Sequence, residues 1–402
     1  MKITCIGAGP AGLYLPILMK NRDPGHDITI YERNGEGATN GWGVTYGEDF
    51  IPDLMGGDPV SAREIIDHSF RWLDTVVEIA GRRPARHEGH SGYGISRRKL
   101  MEILSRRARD LGVSIRYGVE VDPAADFPDQ DVVIAADGVG SRMRQSRKEE
   151  FKPAISPGRN KYVWLGTTRV FDSFTFAFVE TEAGWIWFYA YGFGEGMSTL
   201  IAECSPETWA GLGFDRFGAD DALAELERIF AGQLGEHRLF AQGCGGSLPW
   251  LNFSRLINGK WHAGRMALAG DAAHTTHFSI GCGTRLAIQD ALSLARHLGD
   301  RVDIPSALDA YESERTREIA SAQRDAHLSS LWYEDAARHM HLDASDLMEV
   351  MLNRCSPSPL STVLPPRLLG KISRWTGRIP LVRPIRKMAG DAYRKRLRGG
   401  LP

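Results

Sequence analysis

The chain has 402 residues, a formal net charge of −1, 43% hydrophobic and 25% charged residues, which is the composition of a globular protein with a sizeable core. No apolar run reaches the length of a membrane span, and the N-terminus begins a strand pattern instead of a signal peptide, so we expect a cytoplasmic protein. Five scattered cysteines without CxxC spacing indicate neither a disulfide framework nor a zinc site, and no metal is expected.

Residues 2–33 begin with the pattern of a strand, a glycine turn and a helix. We expect Gly7 to permit the tight turn, Gly9 to let the backbone approach a pyrophosphate, and Gly12 to allow the helix to pack closely on the strand. The N-terminus of that helix, which includes Ala11, would face the anion with free N–H groups. A glycine-rich turn without a ligand is the alternative.

A second strand pattern ends at Glu32, 20 residues after Gly12. A carboxylate at this offset accepts both hydrogen bonds of an adenosine ribose and repels a 2′-phosphate. The two strands, the glycine turn and the acid together predict a dinucleotide site that extends to Arg33.

A glycine-rich segment, residues 33–59, follows this second strand. A loop of this length inside a domain is usually functional, and Gly41-Trp42-Gly43-Val44 would bring the backbone, with Val44, against a flat ring. An ordinary surface loop explains the segment equally well. From Ser61 to Val77, apolar residues at three- and four-residue steps predict a helix.

Ser96 is placed to cap the next helix, which is predicted to end at Gly112 before another strand. Arg97 and Arg98 then lie in its first turn, where a cation opposes the helix dipole. We therefore expect an anion to face Arg97. A solvated side chain is the alternative for both arginines, and it has more weight for Arg98.

Two further strand patterns end in an acid. Residues 131–136 run into Asp137-Gly138, and residues 266–269 run into Gly270-Asp271. Because ligands gather at the carboxyl ends of strands in a parallel sheet, we expect Asp137 and Asp271 to face one.

Between about residues 155 and 260 the pattern changes to period two, which predicts an antiparallel sheet with an aromatic face. Trp187 and Tyr189 on that face are candidates for a flat substrate pocket, while a plain hydrophobic core is the alternative. These aromatics lack an interleaved basic stripe, so no nucleic-acid partner is expected.

A helix is predicted from about Gly283, and further helices continue to about residue 353. Gly281 and Gly283 leave the helix N-terminus bare, and with Thr284 it forms an electropositive spot that would stabilise negative charge on a heterocycle. Three neighbouring residues are candidates for facing a substrate: His277, Phe278 and Arg285. For His277 a structural role is the alternative, because a lone histidine is weak evidence for catalysis.

Residues 356–402 hold eleven Lys or Arg against one Asp, so this tail carries +10 and the rest of the chain −11. Its last part, residues 383–398, has the pattern of a basic amphipathic helix. This helix has four alternative binding partners: the acidic body of the chain, anionic lipid as a peripheral membrane contact, an acidic carrier protein, or a CoA phosphate.

The glycine turn, the Asp137 motif and the Asp271 motif occur in the order and spacing of the single-component flavin-dependent aromatic hydroxylases, and the chain resembles this family over roughly residues 1–345. The resemblance implies an α/β fold: a Rossmann-like FAD-binding domain interleaved with a mostly antiparallel substrate domain, plus C-terminal helices. We assign residues 1–154 and 261–300, with helical insertions, to the FAD-binding domain, 155–260 to the substrate domain, 301–355 to the helices and 356–402 to the tail.

The resemblance also implies roles for individual residues. Gly7, Gly9 and Gly12 would hold the FAD pyrophosphate, Glu32 the ribose, Arg97 the phosphate or ribityl region, and Asp271 the ribityl chain. Asp137 would support FAD and NAD(P)H handling. In this family NADPH or NADH reduces FAD, O2 adds at the flavin C4a, and the hydroperoxide donates an electrophilic OH to an electron-rich ring.

The segments around Gly41, Arg159, Ser198 and Phe278 resemble a narrower branch, which contains salicyloyl-CoA 5-hydroxylase, the flavin portion of anthraniloyl-CoA monooxygenase and the violacein-pathway tryptophan hydroxylase. An aromatic substrate linked to CoA or a carrier is therefore expected, with an indole or tryptophan-derived compound second, in a monomer or homodimer. One rival is a flavin halogenase, because Gly184-Trp185-Ile186-Trp187 resembles the halogenase signature, although Phe188-Tyr189 follows where Ile-Pro should. A non-catalytic nucleotide-binding module is the other.

Overall fold

The computed structural model describes residues 1–38, 41–123, 127–194, 196–242, 246–300 and 303–355. The basic tail, residues 356–402, lies outside the described residues, and so does its predicted amphipathic helix. The strands are β1 (Lys2–Ile6), β2 (Asp27–Glu32), β3 (Gly43–Tyr46), β4 (Phe70–Ile79), β5 (Ala85–Ser96), β6 (Ser114–Tyr117), β7 (Val132–Ala135), β8 (Pro153–Thr167), β9 (Phe174–Thr181), β10 (Gly184–Gly194), β11 (Met197–Cys204), β12 (Leu239–Phe240), β13 (Leu251–Asn258), β14 (His262–Ala263) and β15 (Met266–Leu268). The α-helices are α1 (Pro10–Arg22), α2 (Ile51–Gly57), α3 (Pro59–Asp67), α4 (Arg97–Asp110), α5 (Arg142–Ser146), α6 (Lys148–Phe151), α7 (Pro206–Gly211), α8 (Ala219–Ile229), α9 (Ala231–Leu234), α10 (Gly283–Asp300), α11 (Ile304–Glu334) and α12 (Ala344–Leu352).

The first sheet has the strand order β14-β15-β7-β1-β2-β6. All neighbours in it run parallel except β14 and β15. The strands that precede Gly7, Asp137 and Asp271, and the strand that ends in Glu32, are therefore adjacent, and their carboxyl ends lie at one edge of the sheet. Such an edge is where ligands of open α/β sheets bind.

Helices α1, α4 and α10 cover this sheet. Helix α1 is buried continuously from Ala11 to Lys20, which fits its largely apolar sequence between the sheet and α10. Helix α4 starts after Ser96, whose hydroxyl accepts a hydrogen bond from the backbone N–H of Lys99. The helix predicted after Ser96 is confirmed.

The second sheet has the order β12-β8-β11-β10-β9-β4-β5-β3, with β13 also paired to β8. All its pairs are antiparallel except β4 with β9. Strands β3, β4 and β5 come from residues 43–96, so this sheet takes three strands from the segment assigned by sequence to the FAD-binding domain. The mixed α/β fold, with one mostly parallel and one mostly antiparallel sheet, is confirmed.

The helix predicted from Ser61 to Val77 is wrong beyond Asp67. Helix α3 ends at Asp67, and Phe70–Ile79 is strand β4. The register of β4 with β5 is irregular between Trp72 and Asp74, and Leu73 at this point is 55% exposed. The apolar residues Phe70, Leu73 and Val77 therefore have helical spacing although they do not share one buried face.

The two faces of the second sheet are covered differently. One face packs under α8 and α9, with Phe188, Leu226 and Phe230 in its core. The other carries the predicted aromatic residues and packs under α11 and α12, with Trp187 and Tyr189 against Tyr333. Within the described part of the chain, no helix combines the length and apolarity needed to cross a membrane.

Candidate active site

Glycines build the turn between β1 and α1. Gly7 has a φ of +100°, and a Cβ added there would lie 2.4 Å from the carbonyl oxygen of Ala136. A Cβ added at Gly12 would lie 2.0 Å from the carbonyl oxygen of Gly7. At Gly9, by contrast, the nearest atom would be 4.0 Å away. The fold itself therefore requires Gly7 and Gly12, whereas Gly9 borders open space.

The open space lies in front of the N-terminus of α1. No side chain caps this helix and its first turn contains no acid. Because Pro10 has no N–H, Ala11 and Gly12 supply the first N–H groups at the positive end of the helix dipole. This arrangement suits a bound phosphate or pyrophosphate.

Glu32 is held beside the glycine turn. Its Oε2 accepts a hydrogen bond from the backbone N–H of Ala8 at 2.8 Å, and its Oε1 accepts two from Asn34, at 2.9 Å from the backbone and 2.7 Å from the side-chain amide. The carboxylate thus lies at the strand end where a ribose acceptor is expected. Arg33 is exposed to solvent.

Asp137 has one satisfied and one unsatisfied oxygen. Its Oδ2 accepts hydrogen bonds from the backbone N–H groups of Arg142 and Met143, at 2.9 and 3.3 Å, and so caps α5. Its Oδ1 is buried without a hydrogen-bond partner in the described structure. A buried carboxylate oxygen without a donor is costly, and a bound ligand would relieve that cost. Arg144 donates to the carbonyl oxygen of Ala272 at 2.9 Å and so ties this strand end to that of Asp271.

Asp271 and Arg97 interact electrostatically in a cleft beside these strand ends. Part of Asp271 is exposed to water, and protein atoms surround the rest. The surrounding protein raises the pKa of Asp271, and the charges of His274 and Arg97 oppose this rise. Burial lowers the pKa of Arg97, against the charge of Asp271. Neither side chain makes a hydrogen bond or an ion pair with another described residue. Both charges are available to a ligand in the cleft.

The segment before β3 lies between Arg97 and the second sheet. The carbonyl oxygen of Trp42 accepts the backbone N–H of Arg97 at 2.7 Å. Gly43 donates its N–H to Thr199 at 2.8 Å and accepts the Tyr191 hydroxyl at 2.9 Å. The buried residue Val44 follows. The predicted contact of this backbone with a flat ring stays a prediction.

The N-terminus of α10 also borders the cleft region. Gly281 has a φ of +62°, and a Cβ there would lie 2.8 Å from Oγ1 of Thr45. A Cβ added at Gly283, next to Thr284, would meet nothing within 4 Å. Arg285 points elsewhere: its Nη1 donates to Asp49 at 2.6 Å, and it lines a surface groove with Gln289 and Glu318.

His277 and Phe278 line a separate cavity, which has about 200 Å³ of empty space including its mouth. The residues that surround it come from β8, β11, β13, α11 and the turn before α10: Gly158, Asn160, Tyr162, Glu203, Phe253, His277, Phe278, Ser330 and Glu334. The ring of Phe278 lies 4.6 Å from that of Tyr162 and 5.6 Å from that of Tyr189. The structure therefore brings Tyr189 and Phe278 together and leaves Arg285 outside.

His277 belongs to a buried hydrogen-bond chain. Its Nδ1 lies 2.7 Å from the hydroxyl of Ser279, which lies 2.6 Å from that of Ser329, and Arg354 donates to Ser329 at 2.7 Å. Burial and the charge of Arg354 lower the pKa of His277 to about 3. The imidazole is neutral near neutral pH, and its contacts suit the structural alternative.

Glu203, on β11, is the acid that the sequence motifs missed. It is 1% exposed, and in the sheet register it lies between Trp187 on β10 and Tyr162 on β8. Its oxygens accept hydrogen bonds from the Tyr189 hydroxyl and, at 2.7 Å, from the Asn160 amide. Burial raises the pKa of Glu203 to about 7, although these hydrogen bonds oppose the rise. A charged residue at the end of the otherwise uncharged strand Met197–Cys204, after the apolar run at residues 200–202, was the signal available in the sequence.

Tyr162, on β8, lines the cavity. Burial raises the pKa of its phenol to about 12, and the charges of Asp271 and Glu203 both add to the rise. Tyr162 is therefore a cavity residue that interacts electrostatically with the strand-end carboxylate of Asp271.

Comparison with known proteins shows the family of the chain. The FAD binding domain family matches residues 87–326. The chain is 35% identical to salicyloyl-CoA 5-hydroxylase from a Streptomyces species over 349 residues, which is 85% of this chain and 66% of that protein. It is 30% identical to protodeoxyviolaceinate monooxygenase from Chromobacterium violaceum, covering 87% of this chain and 93% of that protein. It is 33% identical to 3-hydroxy-4-methyl-anthranilyl-[aryl-carrier protein] 5-monooxygenase from Streptosporangium sibiricum, covering 83% of this chain and 89% of that protein.

Solved structures share the fold. The tetrameric form of 2-methyl-3-hydroxypyridine-5-carboxylic acid oxygenase superposes with a TM-score of 0.64 at 21% identity, covering 89% of this chain and 97% of that one. PqsL from P. aeruginosa in complex with 2-aminobenzoylacetate superposes with a TM-score of 0.66 at 17% identity, covering 85% and 98%.

Proposed function

Because the chain belongs to the FAD-dependent aromatic monooxygenases of the FAD binding domain family, we propose that it inserts one oxygen atom of O2 into an aromatic substrate at the expense of NAD(P)H. The chain spans 66% of the length of the Streptomyces hydroxylase but about nine tenths of the other two monooxygenases. The observation that carries the proposal is that the strand ends at the Gly7 turn, Glu32, Asp137 and Asp271 meet at one edge of the first sheet, where Gly9 borders open space.

The residues of the cleft fit FAD. The open space at Gly9, the uncapped N-terminus of α1 and the unpaired Oδ1 of Asp137 are the features that a bound dinucleotide would use. In this proposal Ala11 and Gly12 contact the pyrophosphate and Glu32 the ribose. Arg97 and Asp271 contact the phosphate and ribityl region. When bound, FAD supplies the redox chemistry, with NADPH or NADH as the electron donor.

The chain contributes electrostatics and the exclusion of water. The N-terminus of α10, with Gly281, Gly283 and Thr284, places its positive end where negative charge on the heterocycle would be stabilised. The packed rings of Tyr162, Tyr189 and Phe278 present apolar surface beside the strand ends and would limit the access of water during the reaction.

The substrate we propose is an aromatic ring joined as a thioester to CoA or to a carrier protein. The names of the Streptomyces and Streptosporangium relatives support this class. An indole or tryptophan-derived intermediate is the second candidate, supported by the name of the Chromobacterium relative. The cytoplasmic location, the monomer or homodimer, and the contacts of the basic tail stay predictions.

NAD(P)H oxidation by the FAD-loaded protein tests the proposal. We expect benzoyl-type CoA thioesters to accelerate the oxidation and to yield a product with one added oxygen, whereas the free acids serve as matched controls without the thioester. Acceleration by indoles alone would favour the second substrate class. Protein that retains no flavin, or a product that requires chloride, would contradict the proposal in favour of a nucleotide-binding module or a halogenase.

A further inference from the structure

The turn of residues 277–281 precedes α10 and carries part of the proposed flavin site. Phe278 lies in this turn, and the N-terminus of α10 follows it directly. Two backbone hydrogen bonds inside the turn join Ile280 to His277 and Gly281 to Phe278, at 3.2 and 3.0 Å. Gly281 and the nearby Gly283 allow the backbone many other conformations. Contacts with other elements are therefore needed to hold the turn in one position.

Arg354 anchors this turn from the end of α12. Its Nη2 donates to the carbonyl oxygen of Ser279 at 2.8 Å, and its Nε donates to the hydroxyl of Ser329, on α11, at 2.7 Å. Nη1 donates to the carbonyl oxygen of Met351 at 2.7 Å, which fixes the guanidinium against its own helix. The guanidinium carbon also lies 5.5 Å from the centre of the Tyr333 ring. One side chain thus joins α11, α12 and the turn.

The hydrogen bonds that lead from Arg354 to His277 all run in one direction. The backbone N–H of Ser279 donates to Nδ1 of His277, so this nitrogen is an acceptor without a proton. The Ser279 hydroxyl, 2.7 Å from the same nitrogen, must therefore donate to it. Its oxygen then accepts the hydroxyl of Ser329 at 2.6 Å, and Ser329 accepts the Nε–H of Arg354. This chain places the proton of the neutral imidazole on Nε2.

We propose that Arg354 is a positioning residue of the active site, which holds residues 277–281 and, through them, the N-terminus of α10. This inference rests on the proposed function, in which that N-terminus stabilises negative charge on the flavin. The effect of a helix end falls off within one turn, so it depends on a fixed distance to the ligand. Without Arg354 the protein should still bind FAD but should stabilise the reduced, more negative flavin less well.

Arg354→Met is the informative substitution, because it removes every donor and keeps an unbranched side chain beside Tyr333. Ser329→Ala interrupts the chain one residue further on and leaves the charge of Arg354 in place. Arg338→Met is the matched control. Arg338 lies between α11 and α12, its side chain is 76% exposed, and it pairs with Asp335.

Nitrogen NMR of protein labelled at histidine tests the chain itself, and it needs neither substrate nor FAD. The variant His277→Gln identifies the signal of His277 among those of the twelve histidines. We expect the wild type and Arg338→Met to carry the proton on Nε2. In Arg354→Met and Ser329→Ala the serine hydroxyls are free to reverse, so a second signal with the proton on Nδ1 should appear.

Titration of the apoprotein with oxidised and reduced FAD tests the effect on the site. Arg354→Met should weaken the binding of reduced FAD about tenfold more than that of oxidised FAD, which lowers the midpoint potential by about 30 mV. Ser329→Ala should lower the potential in the same direction, and Arg338→Met should leave it unchanged. A variant that had only lost stability would bind both forms of FAD more weakly by the same factor.

A wild type with the proton of His277 on Nδ1 would overturn the inference, and so would variants that keep both the tautomer and the potential of the wild type. If circular dichroism shows that Arg354→Met does not fold, Ser329→Ala decides the question alone. A changed tautomer in a protein that binds no FAD would contradict the proposed function and leave the anchoring of the turn intact. Hydroxylation by the wild type, with an unchanged potential in both variants, would mean the reverse.

Discussion

Two fully buried carboxylates, Asp290 on α10 and Glu203 on β11, have opposite surroundings. Asp290 on α10 is 0% exposed and lies 2.7 Å from Nε2 of His274 and 2.8 Å from Nε of Arg315. Glu203 on β11 is 1% exposed and receives hydrogen bonds only from the neutral groups of Tyr189 and Asn160. Burial alone would raise both pKa values, but His274 and Arg315 hold that of Asp290 below its ordinary value.

The difference separates a structural carboxylate from one that is available to a ligand. Asp290 also accepts the backbone N–H of Gly270 at 2.8 Å and so fixes the strand end that carries Asp271. Its three hydrogen bonds all join parts of the fold. Glu203 is stabilised enough to stay in place and keeps acceptor capacity toward the cavity.

The largest expected effect follows from breaking the paired site. Asp290→Ala removes the buried carboxylate that pairs with Arg315 and His274, leaves Arg315 paired only with Glu318 among the described residues, and should lower the free energy of unfolding by about 3–5 kcal/mol. Urea unfolding of the FAD-loaded protein measures it. Asp49→Ala, which breaks the exposed Arg285 pair, is the control and should cost about 1 kcal/mol or less. Equal losses in the two variants would contradict the distinction between the sites.

The pH dependence of stability should show the unpaired site. The pKa of Glu203 is about 7 in the folded protein against 4.5 in the unfolded chain, so the protonated form is favoured by folding. Its contribution to stability is fully present below about pH 4.5 and is lost as the pH rises through 7. Between about pH 5 and pH 8 the wild type should lose up to about 3 kcal/mol relative to Glu203→Gln, measured by urea unfolding. Parallel pH profiles for the two proteins would show that Glu203 does not titrate in this range.

On the cofactor side, Gly9→Ala should weaken FAD binding about tenfold or more, because a methyl group would occupy the space where an anion approaches the α1 N–H groups. The fold should persist, since the nearest atom to the new Cβ is 4.0 Å away. Fluorescence titration of the apoprotein with FAD measures the affinity. Gly232→Ala, whose Cβ also meets no atom within 4 Å, serves as control. Unchanged affinity in Gly9→Ala would place the pyrophosphate elsewhere.

The smallest effect is expected at Arg285. This side chain is 29% exposed and pairs with a 69% exposed Asp49, so Arg285→Gln should change stability by about 1 kcal/mol or less. It should also leave the rate of substrate-dependent NAD(P)H oxidation unchanged, since Arg285 pairs with Asp49 in a surface groove. A large loss of that rate would restore its predicted role in orienting the substrate.

The two sides also differ in how far the sequence predicts them. The turn at Gly7 and Gly12 is readable because its backbone has no room for a side chain, and that demand is local. Strand ends at Asp137 and Asp271 follow from a buried run that stops at an acid. The cavity has no such local mark. Glu203 meets Asn160 only because β8 and β11 pair in a particular register, which composition and spacing do not specify.

Strand β4 shows the same limit at the level of the fold. The irregular register at Trp72 interrupts the alternation of apolar residues in β4, so the sequence predicts a helix where the structure has a strand. The sequence also does not predict that residues 43–96 contribute strands to the second sheet. Local chemistry was visible in the sequence, and long-range pairing was not.

A crystal structure of the FAD-loaded protein would test the central claim most directly. The account predicts the pyrophosphate beside Gly9, within about 2.7–3.2 Å of the backbone N–H of Ala11 or Gly12 at the N-terminus of α1, and the ribityl region near Arg97 and Asp271. FAD bound away from these strand ends would contradict it.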